Sequence, residues 1–109
     1  MKSLPTLKHS KRYIAFSVKG AESEGRGEIK KAVFKTIMAL LGECEASSAN
    51  VHLISYTGGQ GILVCNPEYV DKCIVALACM KKVNKVEVFV DVTGVFGMLE
   101  DAKEGARYG

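Results

Sequence analysis

Lys11-Arg12-Tyr13-Ile14-Ala15-Phe16-Ser17-Val18 is the stretch from which the fold is read. Ile14, Phe16 and Val18 recur with period two on one side of an extended ribbon, and Tyr13, Ala15 and Ser17 take the other side. A strand with helices over one face has this pattern, so the stretch is expected to be the first, central strand of an α/β domain. Ahead of it, residues 1–10 (Met1-Lys2-Ser3-Leu4-Pro5-Thr6-Leu7-Lys8-His9-Ser10) carry one proline and several positive charges. Pro5 biases its surroundings away from helix, which predicts a short, basic, extended arm.

A chain of 109 residues fits one domain, and a domain of that size buries roughly 60–70% of the surface its unfolded chain exposes, enough for a core without staples. Cys44, Cys65, Cys73 and Cys79 form no C-x-x-C pair and follow no secretory leader, so reduced thiols in a cytoplasmic protein are expected. Their spacing with His9 and His52 suits no tetrahedral zinc site. No apolar run approaches the ~18 residues a membrane span requires. The net charge of +3 is unevenly spread: residues 1–35 hold nine Lys/Arg against three Glu, and residues 36–109 hold six against nine acids. A polyanion-facing end reads that way, because phosphate contacts release counterions and reward clustered lysines. Solvated, lysine-rich helix faces explain the charge alone equally well.

Lys19 to Gly27 reads as a loop, with glycines and small polar residues and no apolar period. Ile29, Ala32, Val33, Thr36, Ile37, Leu40 and Leu41 then recur at three and four, which predicts a helix whose other side projects Lys30, Lys31 and Lys35. Gly42 is expected to end it. Asn50–Thr57 and Gln60–Cys65 flank Gly58-Gly59, the residue choice of a two-residue hairpin. Asn66-Pro67-Glu68 marks a helix start, with Asn66 as cap and Val70, Cys73, Ile74, Leu77 and Ala78 inward. Lys81 and Lys82 fall at its C-terminal end, where the helix dipole favours positive charge. Val86–Val92 alternates, with valines inward and Glu87, Phe89 and Asp91 outward. Thr93–Gly97 reads as a glycine turn, followed by a short helix with Val95, Met98, Leu99 and Ala102 on one side.

The order strand, helix, strand, strand, helix, strand predicts a ferredoxin-like βαββαβ two-layer α+β sandwich over residues 11–93, with a C-terminal turn and helix over 94–109. The helix-free face of its sheet is expected to carry Tyr13, Ala15, Ser17, Leu63, Cys65 and Phe89, with His52, Ile54 and Tyr56 at the edge. That face is too apolar to stand in water. Strand three, Gly61-Ile62-Leu63-Val64-Cys65, has no aromatic on which a base would stack. Cover by the C-terminal helix or by a partner protein is therefore expected, with Tyr13, Leu63, Phe89, Met98 and Leu99 as the protein interface. No nucleophile, base or carboxylate pair comes together in the sequence, so no catalytic residues and no metal site are expected in this chain.

Leu4-Pro5-Thr6-Leu7, a short basic gap and Lys11-Arg12-Tyr13-Ile14-Ala15-Phe16 resemble the opening of the archaeal ribonuclease P protein component two, the Pop-five/Rpp-fourteen family. Gly61–Cys65, Thr93-Gly94-Val95-Phe96-Gly97 and the closing Arg107-Tyr108-Gly109 are also similar to that family. The resemblance implies a non-catalytic subunit of an RNA-based endonuclease that removes 5′ leaders from precursor tRNA. In such an assembly the RNA carries the active site and uses magnesium, the protein binds no cofactor, and a TIM-barrel-like protein subunit is its partner. Lys8, Lys11 and Arg12 match the family's basic opening and are expected to meet RNA phosphates; the helix lysines Lys30, Lys31 and Lys35 are added from their position. The chain departs from the family in two places. Val64 stands where the family often has an arginine, and residues 98–107 carry three acidic against two basic residues where the family is lysine-rich. The tail is accordingly expected to dock on protein. The alternative from the residues alone is a ferredoxin-like interaction or ligand-sensing module without RNA, in which Gly20 to Gly27 shapes a small-molecule loop.

Overall fold

Residues 11–108 are described by the computed structural model, with side chains as far as Gly105. The elements are β1 (Arg12–Lys19), α1 (Arg26–Ala49), β2 (His52–Thr57), β3 (Gln60–Cys65), a 3-10 turn (Pro67–Tyr69) running into α2 (Val70–Cys79), β4 (Lys82–Val83), β5 (Val86–Glu87), β6 (Phe89–Phe96) and α3 (Leu99–Tyr108). The main sheet has the order β2-β3-β1-β6 with every neighbouring pair antiparallel, and β4 and β5 form a separate small hairpin. This is the ferredoxin-like arrangement, with β1 and β3 central.

β1 is central because both its faces are apolar enough to be covered. Ile14, Phe16 and Val18 join Ile29, Val33 and Ile37 of α1, Leu53 of β2, Leu63 and Cys65 of β3, and Cys73, Ala76 and Leu77 of α2 in one core. Fully burying each large aliphatic or aromatic side chain there contributes about 1.5–3 kcal/mol. The opposite face carries Ala15, Ser17, Ile62 and Val64, all buried as well, and α3 lies over them with Ala102 fully enclosed. The C-terminal helix thus covers its own sheet.

The register corrects the expected face of β3. Ile14 is opposite Leu63 and Ala15 is opposite Ile62, so Leu63 and Cys65 point at the helices, and Ile62 and Val64 take the α3 side. All of Gly61–Cys65 is buried, so its composition carries no alternation from which the face could be read. Tyr56 likewise turns to the core side, opposite Gly61.

Further elements differ from expectation. Val86–Val92 is not one strand: Val86-Glu87 pairs with Lys82-Val83 in the small hairpin, and the last strand of the main sheet starts at Phe89. Gly42 does break the helix, at φ 84 and ψ 169, but helical structure resumes and runs to Ala49, where Asn50 in the left-handed region ends it. Only Ala46 and Ala49 of that second part reach the core, too few for a visible period. β6 extends to Phe96 instead of turning at Thr93. Thr93 is a bulge residue: Val92 is opposite Phe16, whereas Gly94 is opposite Ala15, and the Thr93 hydroxyl donates to the Ala15 carbonyl at 3.1 Å. The extra residue shifts the alternation, so Phe96 lands beside Tyr13 on the α3 side instead of in the core. There its ring lies between Gly94 and Gly105, where an added Cβ at either glycine would come within 2.6 Å of Phe96 Cζ.

Candidate nucleic-acid interface

The expected RNA-facing residues occupy different parts of the molecule. Lys8 lies outside the described residues. Lys11 and Arg12, both half-buried, sit at the start of β1. Lys11 Nζ donates to Asn66 Oδ1 at 3.2 Å, Asn66 Nδ2 donates to the Ser48 carbonyl at 2.8 Å, and the Asn66 backbone N–H donates to the Ala49 carbonyl at 3.0 Å. Asn66 therefore does not cap α2 with its side chain; it ties the end of α1 to the head of β1 and holds the Lys11 ammonium at that corner. Arg12 donates from one terminal nitrogen to the Lys11 carbonyl at 2.9 Å.

Lys30, Lys31 and Lys35 are exposed on the first half of α1, away from the helix end to which Lys11 is tied. Lys31 and Lys35, four residues apart, share one side of the helix, and that side forms one wall of a groove with a volume of about 760 Å³. Ala39, Leu40 and Met80 contribute apolar surface to it. The opposite wall carries Lys81, Lys82 and Lys85. Sequence position alone puts Lys81 and Lys82 at the end of a helix and gives Lys85 no role. In fact α2 stops at Cys79, and Lys81, Lys82 and Lys85 belong to the β4–β5 hairpin and its base, with a turn at Asn84-Lys85 of φ 51 and 71. An Asn-initiated two-residue turn between Lys82-Val83 and Val86-Glu87 is the available signal; at two residues per strand it is too short to show a period.

The expected protein-interface residues also separate. Leu63 is fully buried in the core and meets no partner, which corrects that expectation. Tyr13 is half-buried opposite Phe96, at one end of β1, and Phe89 is opposite Lys19 at the other end. At the usual strand rise these positions lie about 20 Å apart. Phe89 is 66% and Met98 59% exposed, whereas Leu99 is half-buried at the start of α3. Of these, Phe89 and Met98 offer free apolar surface.

The remaining polar features are structural in character. Glu22 accepts from the Gly20 N–H at 3.2 Å, and that backbone bond holds its carboxyl below the usual range. Gly20 itself, at φ 102, lies so close to the Glu87 carbonyl that a Cβ would come within 2.6 Å, so the loop after β1 packs on the hairpin. The four cysteines carry free thiols. Cys65 and Cys73 are buried together, and their mutual hydrogen bond with burial pushes the Cys65 thiol up. Among the described residues no three His, Cys, Asp or Glu side chains converge as a metal site would require, and no helix is long and apolar enough to cross a membrane.

The Rpp14/Pop5 family profile matches residues 12–107. The chain is 36% identical to ribonuclease P protein component 2 of Archaeoglobus fulgidus over 94% of each chain. It is 34% identical to the protein of the same name in Methanosarcina acetivorans, over 93% of this chain and 76% of that one. For the Pyrococcus furiosus protein the figures are 33%, 91% and 84%. A chain in the cryo-EM structure of yeast ribonuclease MRP superposes with a TM-score of 0.68, covering 99% of this chain and 91% of that chain at 6% identity, which is a likeness of fold.

Proposed function

The chain belongs to the Rpp14/Pop5 family, and on that premise we propose that it is a non-catalytic protein subunit of ribonuclease P, acting in removal of the 5′ leader from precursor tRNA. The observation that carries this reading is the match to archaeal ribonuclease P protein component 2 over nearly the whole chain, at 36% identity in Archaeoglobus fulgidus. The residues agree with a supporting role. Lys30, Lys31 and Lys35 are solvent-facing, and Lys11 and Arg12 are held at a corner of the fold. On this reading catalysis and its magnesium belong to the RNA. The protein's contribution is electrostatic: lysine and arginine side chains neutralise closely spaced phosphates, so that fewer magnesium ions are needed to hold the RNA in its active geometry. Lys8, Lys11, Arg12, Lys30, Lys31 and Lys35 are the proposed contacts, and a TIM-barrel-like protein subunit the proposed partner, met through Phe89 and Met98. The cytoplasm is the proposed location.

Adding the full chain and that partner to ribonuclease P RNA tests the reading. Cleavage of precursor tRNA is expected at a several-fold lower magnesium concentration than with RNA alone. An unchanged magnesium dependence would refute the assignment.

A further inference from the structure

Resting on the ribonuclease P reading, we propose that the groove between α1 and the β4–β5 hairpin is a docking site for an RNA phosphodiester strand, with Lys31 and Lys35 on one wall and Lys81, Lys82 and Lys85 on the other. The residues lining this groove include five lysines against one acid, Glu28, more positive charge than the whole chain's net +3. The rest of the molecule is on balance not basic at all. All five lysines are exposed, and the one ion pair among the described residues, Lys72 with Glu45, lies elsewhere. Like charges facing each other across a groove repel, and a polyanion entering between them relieves that repulsion while releasing its own counterions.

The hairpin that supplies three of the lysines is held in place from several sides. Val83 is fully buried, so its neighbours Lys82 and Asn84 are forced outward. Asn84 Nδ2 donates to Glu24 Oε1 at 3.3 Å, joining the hairpin tip to the loop before α1. The Val88 N–H donates to the Lys81 carbonyl at 2.9 Å, closing the base. Gly20 packs against the Glu87 carbonyl on the other side. With the backbone positions set before binding, the strand does not have to order a loop, and less affinity is lost to entropy. The sequence separates the lysines of the two walls by nearly half the chain, and the fold alone unites them.

Cys79 also lines the groove and is exposed, whereas the other exposed thiol, Cys44, lies outside it, so the protein carries its own probe. The experiment uses the full chain and a ribonuclease P RNA transcript. RNA is expected to slow alkylation of Cys79 several-fold and leave Cys44 unchanged. In binding titrations, Lys81→Ala/Lys82→Ala/Lys85→Ala should make the plot of log affinity against log salt shallower by about 3, and Lys31→Ala/Lys35→Ala by about 2, one for each phosphate no longer neutralised. Lys72→Ala/Lys103→Ala, equal in charge to the second variant, should leave the slope within about 0.5 of the parent. If groove variants match that control while the parent binds RNA and lowers the magnesium requirement, the groove is not the site and the ribonuclease P reading stands. A parent that shows no salt-sensitive RNA binding overturns both. Protection of Cys79 by poly-glutamate but not by RNA would make the groove a site for acidic protein and overturn the RNA proposal.

Discussion

At the scale of single residues, close approaches say most about what the fold tolerates. Gly61 faces Phe16 so tightly that a Cβ would come within 2.6 Å of the ring, and Phe16 is 1% exposed with nowhere to move. Gly61→Ala is expected to destabilise the protein by about 1–3 kcal/mol, the usual cost of overpacking, measured by urea unfolding. Tyr56 supplies a second test. Its hydroxyl is shut off from solvent and has no hydrogen-bond partner among the described residues, and burial, with the charge of Glu22, raises its pKa. A raised acid favours the neutral phenol in the folded state. Its contribution is therefore complete below the ordinary tyrosine value near pH ~10 and is lost as pH rises through the folded value. Tyr56→Phe removes an unpaired buried hydroxyl and is expected to gain about 1 kcal/mol at pH 7. The gap over the parent should widen above pH ~10; a gap that stays constant with pH would show that Tyr56 does not titrate differently on folding.

Among the elements, α3 depends most on tertiary contact. A ten-residue helix is marginal alone in water, and this one is kept by Ala102, which is fully buried against the sheet, and by the Phe96 ring between Gly94 and Gly105. Ala102→Glu would place a carboxylate in that contact. The expected result is loss of amide-exchange protection throughout α3, with the amides of β1 and α1 still protected, and new binding of a hydrophobic dye to the uncovered Ala15, Ile62 and Val64. Full retention of α3 protection would mean that the helix is held by something other than this packing. β6, an edge strand of the main sheet, carries the exposed aromatic Phe89. Phe89→Ala is expected to weaken self-association or binding of the proposed partner protein by about 1–3 kcal/mol, as an interface aromatic does. RNA binding by the isolated chain should be unchanged in the same titration, and an equal loss of RNA affinity would move the RNA contact onto the sheet.

For the whole molecule, the βαββαβ order and the apolar inner faces of β1 and α1 are legible along the chain because each repeats a period over several turns or residues. The Gly58-Gly59 hairpin is legible too, since its turn, with φ 60 and 82, demands those residues. The family resemblance read from the opening block points to the same family as the matches to known proteins. What the chain hides, it hides for one reason. The face of β3, the continuation of α1 past Gly42, the Thr93 bulge and the β4–β5 hairpin are all too short, or too evenly apolar, to print a period, and each is settled by what packs across from it. The candidate site is divided in the same way: Lys31 and Lys35 are visible from their helix face, but the lysines opposite them come from a hairpin two residues per strand in length.

Local order and sign of charge are therefore properties this sequence determined by itself, because period-two and period-3.6 patterns, glycine turns and clustered lysines act between near neighbours. Which surface is open and which residues stand together was decided by the tertiary structure. Closing α3 over the sheet and setting the hairpin against α1 joins residues far apart in the chain, and packing energy, not local preference, selects such contacts.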